Sequence, residues 1–203
     1  MNTNFISDFR PFRMYGNIYY IGSAKYSVHL IDTEAGLVLI DTGVPSMYEQ
    51  IVDSMKYLGF DPKDICAIIH SHAHFDHFGC THMFKELSGA TTYISRIDNA
   101  RLKDKTRTGA HRLENDDLIR ECDVLIEDGD VYTFGKTSIR FRLAPGHTPG
   151  TLAIFVTVPD GDKSIVAAMH GGTGLNTLTA DHLNKHGIPF SQVPRQWGRI
   201  YLH

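Results

Sequence analysis

The chain has 203 residues, 42% hydrophobic and 21% charged, the composition of an ordinary soluble globular protein long enough to bury its own core as one domain. Twenty basic against 23 acidic residues leave a net charge of −3, so nothing marks the chain for nucleic acid or for an anionic membrane surface. Cys66, Cys80 and Cys122 form no Cys-x-x-Cys pair and are too few for a disulfide framework, and MNTNFISDFRPFRMYG is no apolar leader; a cytoplasmic protein is expected, or a periplasmic or secreted one if a signal has been removed.

In chain order, the first third reads as short strands over 17–22, 27–34 and 36–43, with Glu34-Ala35-Gly36 as a tight connection. Met47, Ile51, Met55 and Leu58 then recur at helical spacing over 46–59, between Pro45-Ser46 and Gly59. Asp61-Pro62 turns the chain into DICAIIHSH, a β-branched strand over 64–72. A short helix over 81–89 and a strand over 90–98 follow, and the polar stretch 99–120 reads as helix and loop. Strands resume at DVLIEDGD, VYTFG, TSIRFRLAPG, TLAIFVTV and KSIVAAMHG, separated by Asp-Gly, Gly-Lys and Pro-Asp-Gly-Asp turns. Two runs of strands, each with a helix, predict an α/β (α+β) sandwich of two mixed sheets flanked by helices.

The chemistry concentrates in HSHAHFDHFGC, residues 70–80. In a helix, residues two apart point roughly 200° away from each other, whereas at a strand end they share a face. The strand expected over 64–72 therefore lets His72 and His74 share one ion. Imidazole suits zinc, and three nitrogen ligands leave one tetrahedral position for water, which is a catalytic rather than a structural pattern. Asp76 and His77 follow at once; if the loop turns sharply there, they face the same hollow from its other side and can hold a second ion. In Gly146-His147-Thr148-Pro149-Gly150, glycine and proline fix a turn that presents one side chain, and His147 is the expected third ligand. His29, His70, His82, His111, His182 and His186 read as packing or surface residues.

Asp41-Thr42-Gly43, His72-Ala73-His74-Phe75-Asp76-His77 and Gly146-His147-Thr148-Pro149-Gly150, in this order and spacing, resemble the metallo-β-lactamase-fold hydrolases over roughly residues 12–175. The runs FRMYGNIYYIG, DTGVP, SHAHFDHFG and GHTPGT are most similar to the β-lactamase subclass whose second zinc is held by Asp and two His. The resemblance implies a four-layer αβ/βα sandwich with metal at the edge between its halves. It also implies His72, His74 and His147 around a first zinc, Asp76 and His77 at a second, and Asp41 as a carboxylate orienting the ligands. One zinc is expected, with room for two.

In most relatives an aspartate ends the strand that follows GHTPG, or a serine or cysteine occupies the neighbouring position. Here the region is Ala167-Ala168-Met169-His170-Gly171-Gly172-Thr173-Gly174, so His170 is a candidate replacement ligand. GGTG lacks the Lys-Ser/Thr of a phosphate loop. The chain is also shorter than its relatives at the C-terminus, which is expected to leave a single domain over 1–203 without the usual last strand and helix; His203 reaches the site only if the tail folds back. The expected function is a zinc-dependent hydrolase in which a metal-bound hydroxide, oriented by Asp76, attacks an amide, ester or thioester of a small-molecule substrate, a β-lactam first. The alternatives are a lactonase or thioesterase, and a zinc protein made inactive by its short end. A diiron redox protein is disfavoured, because such relatives carry a carboxylate where His74 stands.

Overall fold

The computed structural model describes residues 10–113, 118–160, 162–172 and 184. Thr173, Gly174, His182, His186 and His203 lie outside the described residues. A seven-stranded sheet runs in the order β1 (Phe12–Tyr15), β2 (Ile18–Tyr20), β3 (His29–Asp32), β4 (Leu37–Ile40), β5 (Ile65–Ile69), β6 (Thr91–Ser95) and β7 (Val124–Ile126). Strands β1 to β4 pair antiparallel through short turns, and β4 to β7 pair parallel. Parallel neighbours need a crossover. Helix α1 (Tyr48–Tyr57) carries the chain from β4 to β5, and α2 (Phe75–Phe78) with α3 (Thr81–Ser88) carries it from β5 to β6. Two further short helices, α4 (Arg96–Asn99) and α5 (Lys105–Thr108), lie in the segment before β7.

The apolar runs explain the layering. Leu37-Val38-Leu39-Ile40 is buried throughout, as a central strand covered on both faces must be. Leu30, Leu39, Ile65 and Ile68 pack on one face against Ile51 and Met55 of α1 and Phe84 of α3. Ile31, Val38, Ile40 and Ile69 pack on the other against Ile139, Phe141, Ile154 and Val156 of the second sheet. That sheet has the order β11 (Lys163–His170), β10 (Leu152–Asp160), β9 (Thr137–Leu143) and β8 (Val131–Phe134). Helix, sheet and sheet are thus three of the four expected layers, and no helix among the described residues covers the outer face of β8 to β11.

The structure differs from the sequence reading in four places. The second sheet is antiparallel throughout rather than mixed, because its strands follow one another through hairpin connections with no helical crossover. Strand β1 was not anticipated; FRMY is short and exposed along its whole length, so neither face is buried. The strand expected over 64–72 stops at Ile69, and the one expected over 90–98 stops at Ser95, whose hydroxyl accepts from the Asp98 N–H and starts α4. No helix among the described residues is long and apolar enough to cross a membrane.

Candidate metal centre

Beyond Ile69 the chain leaves the sheet while still anchored, with the His70 N–H bonded to the Tyr93 carbonyl. His72 and His74 therefore do not meet on one face of a strand. A bend over 71–73 turns the backbone, and His74 (φ −104°, ψ 143°) then enters α2 as its N-cap. The result is the convergence that the spacing called for, by another route. Nε2 of His72 lies 3.0 Å from Nδ1 of His74, which lies 2.9 Å from Nε2 of His147. The three ring planes stand at 82° to 90° to one another.

These separations are close to the edge of a tetrahedron around an ion with bonds of about 2.0–2.1 Å, roughly 3.3 Å. His72, His74 and His147 are the one group of this kind among the described residues whose ligand atoms lie close enough together to hold a metal ion. Burial holds His72 well below the ordinary imidazole range, helped by the neighbouring His77, His147 and His74. Burial also lowers His74, and with His74 and His77 it pushes His147 down to about 4. The rings are neutral donors at pH 7, as metal binding requires.

A hydrogen-bond network fixes which nitrogen each ring presents. Oδ1 and Oδ2 of Asp41 accept from the Ser71 N–H and Ser71 hydroxyl at 2.8 and 2.7 Å, and Oδ2 also accepts from Nδ1 of His77 at 2.7 Å. With its only proton given to Asp41, Ser71 Oγ is an acceptor for Nδ1 of His72, 3.1 Å away. Both His72 and His77 are then Nδ1–H tautomers with Nε2 exposed to the site. For Asp41, burial acts upward, but the charge and hydrogen bond of His77 and the two bonds from Ser71 outweigh it and hold the carboxyl low. For His77, burial acts downward, and the charge and hydrogen bond of Asp41 outweigh it.

Asp76 is half-buried, with Oδ2 3.8 Å from Nε2 of His77. This pair stands beside the three-histidine cluster without joining it. His170 lies further out. It is exposed at the end of β11, and its Nδ1 accepts the Gly172 N–H at 3.2 Å. Asp41, Ser71, Asp76, His77, His147 and His170 line one cavity of about 590 Å³. Met14, Ile18, Ile40, Ile154 and Met169 form an apolar wall, and His29, read from sequence as a packing or surface residue, also lines the cavity. Gly172 packs flat on the His147 ring, where any Cβ would overlap Cδ2.

The family model for the metallo-β-lactamase superfamily matches residues 24–160. The chain belongs to this superfamily. Among solved structures, the β-lactamase from Chitinophaga pinensis is similar to it at 30% identity and a TM-score of 0.75, over 98% of this chain and 74% of that one. A class B3 di-zinc metallo-β-lactamase from an Alaskan soil metagenome is 27% identical, with a TM-score of 0.71 over 83% of this chain and 64% of that one. The N-acyl homoserine lactonase of Bacillus thuringiensis is 26% identical over 156 residues, 63% of this chain and 56% of its own length. The chain spans about half the length of the curated relatives it matches first.

For a member of the metallo-β-lactamase superfamily, two positions at this site escaped the sequence reading. Ser71 is the relay between Asp41 and His72. Asp98, fully buried, reaches both histidine-bearing loops. Ser95-Arg96-Ile97-Asp98 carries the Ser-x-x-Asp spacing of a helix start, a signal that was available but was read as the end of a strand.

Proposed function

We propose that this protein is a zinc-dependent hydrolase of small-molecule amide, ester or thioester substrates, with β-lactams the first class to test. The observation that carries this reading is the convergence of the His72, His74 and His147 nitrogens, the last of them lining a cavity that Asp76 and His77 also line. His72 and His147 would bind the ion through Nε2 and His74 through Nδ1; Asp76 and His77 would serve a second ion. Bound there, zinc lowers the proton affinity of water and polarises a carbonyl. The similarity to solved β-lactamases supports the β-lactam assignment.

The side chains supply the rest. Asp76 would orient the attacking water by accepting a hydrogen bond from it, take that proton as the new bond to the carbonyl carbon forms, and return it to the leaving nitrogen, oxygen or sulfur as the scissile bond breaks. Asp41 and Ser71 hold the His77 and His72 rings in the tautomers that leave Nε2 available. The apolar wall takes the non-reacting part of the substrate and displaces water from it.

One observation favours a second reading. The described residues lining the cavity include no Lys or Arg. A β-lactam antibiotic carries a carboxylate that such a cation would receive, whereas a neutral lactone with an apolar acyl group needs none. Purified protein of measured metal content, assayed with nitrocefin, acyl lactones and thioesters, decides among these. Turnover of nitrocefin supports the first reading, and turnover of lactones alone the second. No turnover of any of them overturns catalysis and leaves a zinc-binding protein. Bound iron with a visible absorption band would overturn the zinc assignment.

A further inference from the structure

The two loops that carry the histidines come from distant parts of the chain, yet one carboxylate oxygen touches both. Oδ2 of Asp98 accepts the Ala73 N–H at 2.8 Å, between His72 and His74, and the Thr148 hydroxyl at 2.6 Å, next to His147. Oδ1 accepts the Gly150 N–H at 3.0 Å, and Arg101 Nε stands 3.6 Å from it as an ion pair. Asp98 is itself fully buried at the start of α4. We propose that Asp98 is a positioning residue that sets the distance between the His72–His74 loop and the His147 loop, and hence the geometry of the three-nitrogen metal site.

The surroundings are built for this contact. The Thr148 hydroxyl has one proton, and a carboxylate cannot return one, so Thr148 donates to Asp98 and accepts from Thr151 Oγ1 at 2.8 Å. Thr151 Oγ1 in turn accepts the Thr148 N–H at 2.9 Å. Ser95, the N-cap of α4, donates to the Gly150 carbonyl at 2.6 Å while accepting the Asp98 N–H at 3.2 Å. Both polar groups of Gly150 are therefore held from the β6–α4 corner. Glycine stands at 150 for room rather than for a left-handed turn: its φ is not positive, and a Cβ there would lie 2.7 Å from both the Asp98 N and Oδ1. A buried carboxylate with these partners makes charge-assisted bonds stronger than neutral ones, so it is a stiff spacer.

The proposal rests on the zinc reading above, and its test separates the two. Zinc dissociation constants are measured by competition with a chromophoric chelator on the wild type, Asp98→Asn, Thr148→Val and Thr148→Ser, each checked by circular dichroism for native fold without metal. In Asp98→Asn, an amide N–H must face one of the donors that the carboxylate accepted. Affinity is expected to fall about 10- to 100-fold, as for other partners that orient metal ligands. Thr148→Val should lose part of that, and Thr148→Ser, which restores the hydroxyl, should bind like the wild type. A purely structural role would lower unfolding midpoints and leave these constants unchanged. If Asp98→Asn does not fold, the Val and Ser pair at 148 decides alone. Folded variants with wild-type affinity overturn the positioning role, whereas a wild type that binds no zinc overturns the metal reading itself.

Discussion

Nδ1 of His77 donates to Oδ2 of Asp41 across 2.7 Å, and the same carboxylate takes both protons that Ser71 offers. Asp41 sits at the end of β4 with a φ of 62°, a left-handed conformation that Asp and Asn tolerate better than other side chains. The bend that lets Asp41 face the histidines is thus part of its function. Asp41→Asn keeps that backbone tolerance but sets an amide N–H against one of three donors. Zinc affinity is expected to fall about 10- to 100-fold, read by chelator competition on folded protein. An unchanged affinity would show that Asp41 does not orient the ligands.

The fold and the meeting of the three histidines were legible for different reasons. β4 and β5 are continuous apolar runs, and α1 repeats its buried residues at Ile51 and Met55, so period and burial agree with what forms. His72, His74 and His147 were legible from chemistry, because imidazoles at that density have few other uses. The path that brings them together was not. A strand through residue 72 satisfied the pattern, but the Ala73 N–H is claimed by Asp98 from 25 residues away, and no local rule foretells such a bond. Glycines 146 and 150 were read as turn formers. Gly150 instead leaves space for a carboxylate that only the folded chain places there.

Gly172 offers a sharper test of the cavity floor. A methyl group at this position overlaps the His147 ring, which must shift from the place where it meets His74. Gly172→Ala is expected to weaken zinc binding at least about tenfold, since groups that fix a ligand's ring orientation govern affinity on that scale, with little change in far-ultraviolet circular dichroism. Wild-type zinc affinity in this variant would mean that His147 is not a ligand or that its loop yields freely.

Phe141, fully buried between the sheets, tests the interior rather than the site. Phe141→Ala removes a ring that packs between the sheets, and such truncations cost about 3–5 kcal/mol. Urea unfolding at a fixed free zinc concentration should show the midpoint falling with an unchanged slope. A loss below about 1 kcal/mol would contradict close packing between the sheets.

The cysteines should differ in reactivity. Cys80 and Cys122 are buried, and burial pushes both thiols up to about 12; Cys66 is exposed, although partial burial also raises it. A raised value means less thiolate at a given pH. Alkylation of native protein near pH 8 should therefore modify Cys66 alone, slowly, and all three after unfolding, because the thiolate is the reacting species. Mass spectrometry locates the adducts. Early modification at Cys80 would show that the layer between the first sheet and its helices opens in solution.

Removing metal should be the largest single perturbation. With His72 protonated at Nδ1, its Nε2 lone pair faces Nδ1 of His74 at 3.0 Å, which in turn lies 2.9 Å from Nε2 of His147, and a cation is the one partner that serves all three. Free zinc about 1,000-fold above its dissociation constant stabilises the folded state by roughly 4 kcal/mol. For a chain of this size that corresponds to about 8–16 °C in Tm. Thermal melts of chelator-treated protein, repeated after zinc is restored, measure the difference. A Tm indifferent to both chelator and zinc would mean that the three nitrogens meet for packing, and the hydrolase reading would fall with the site.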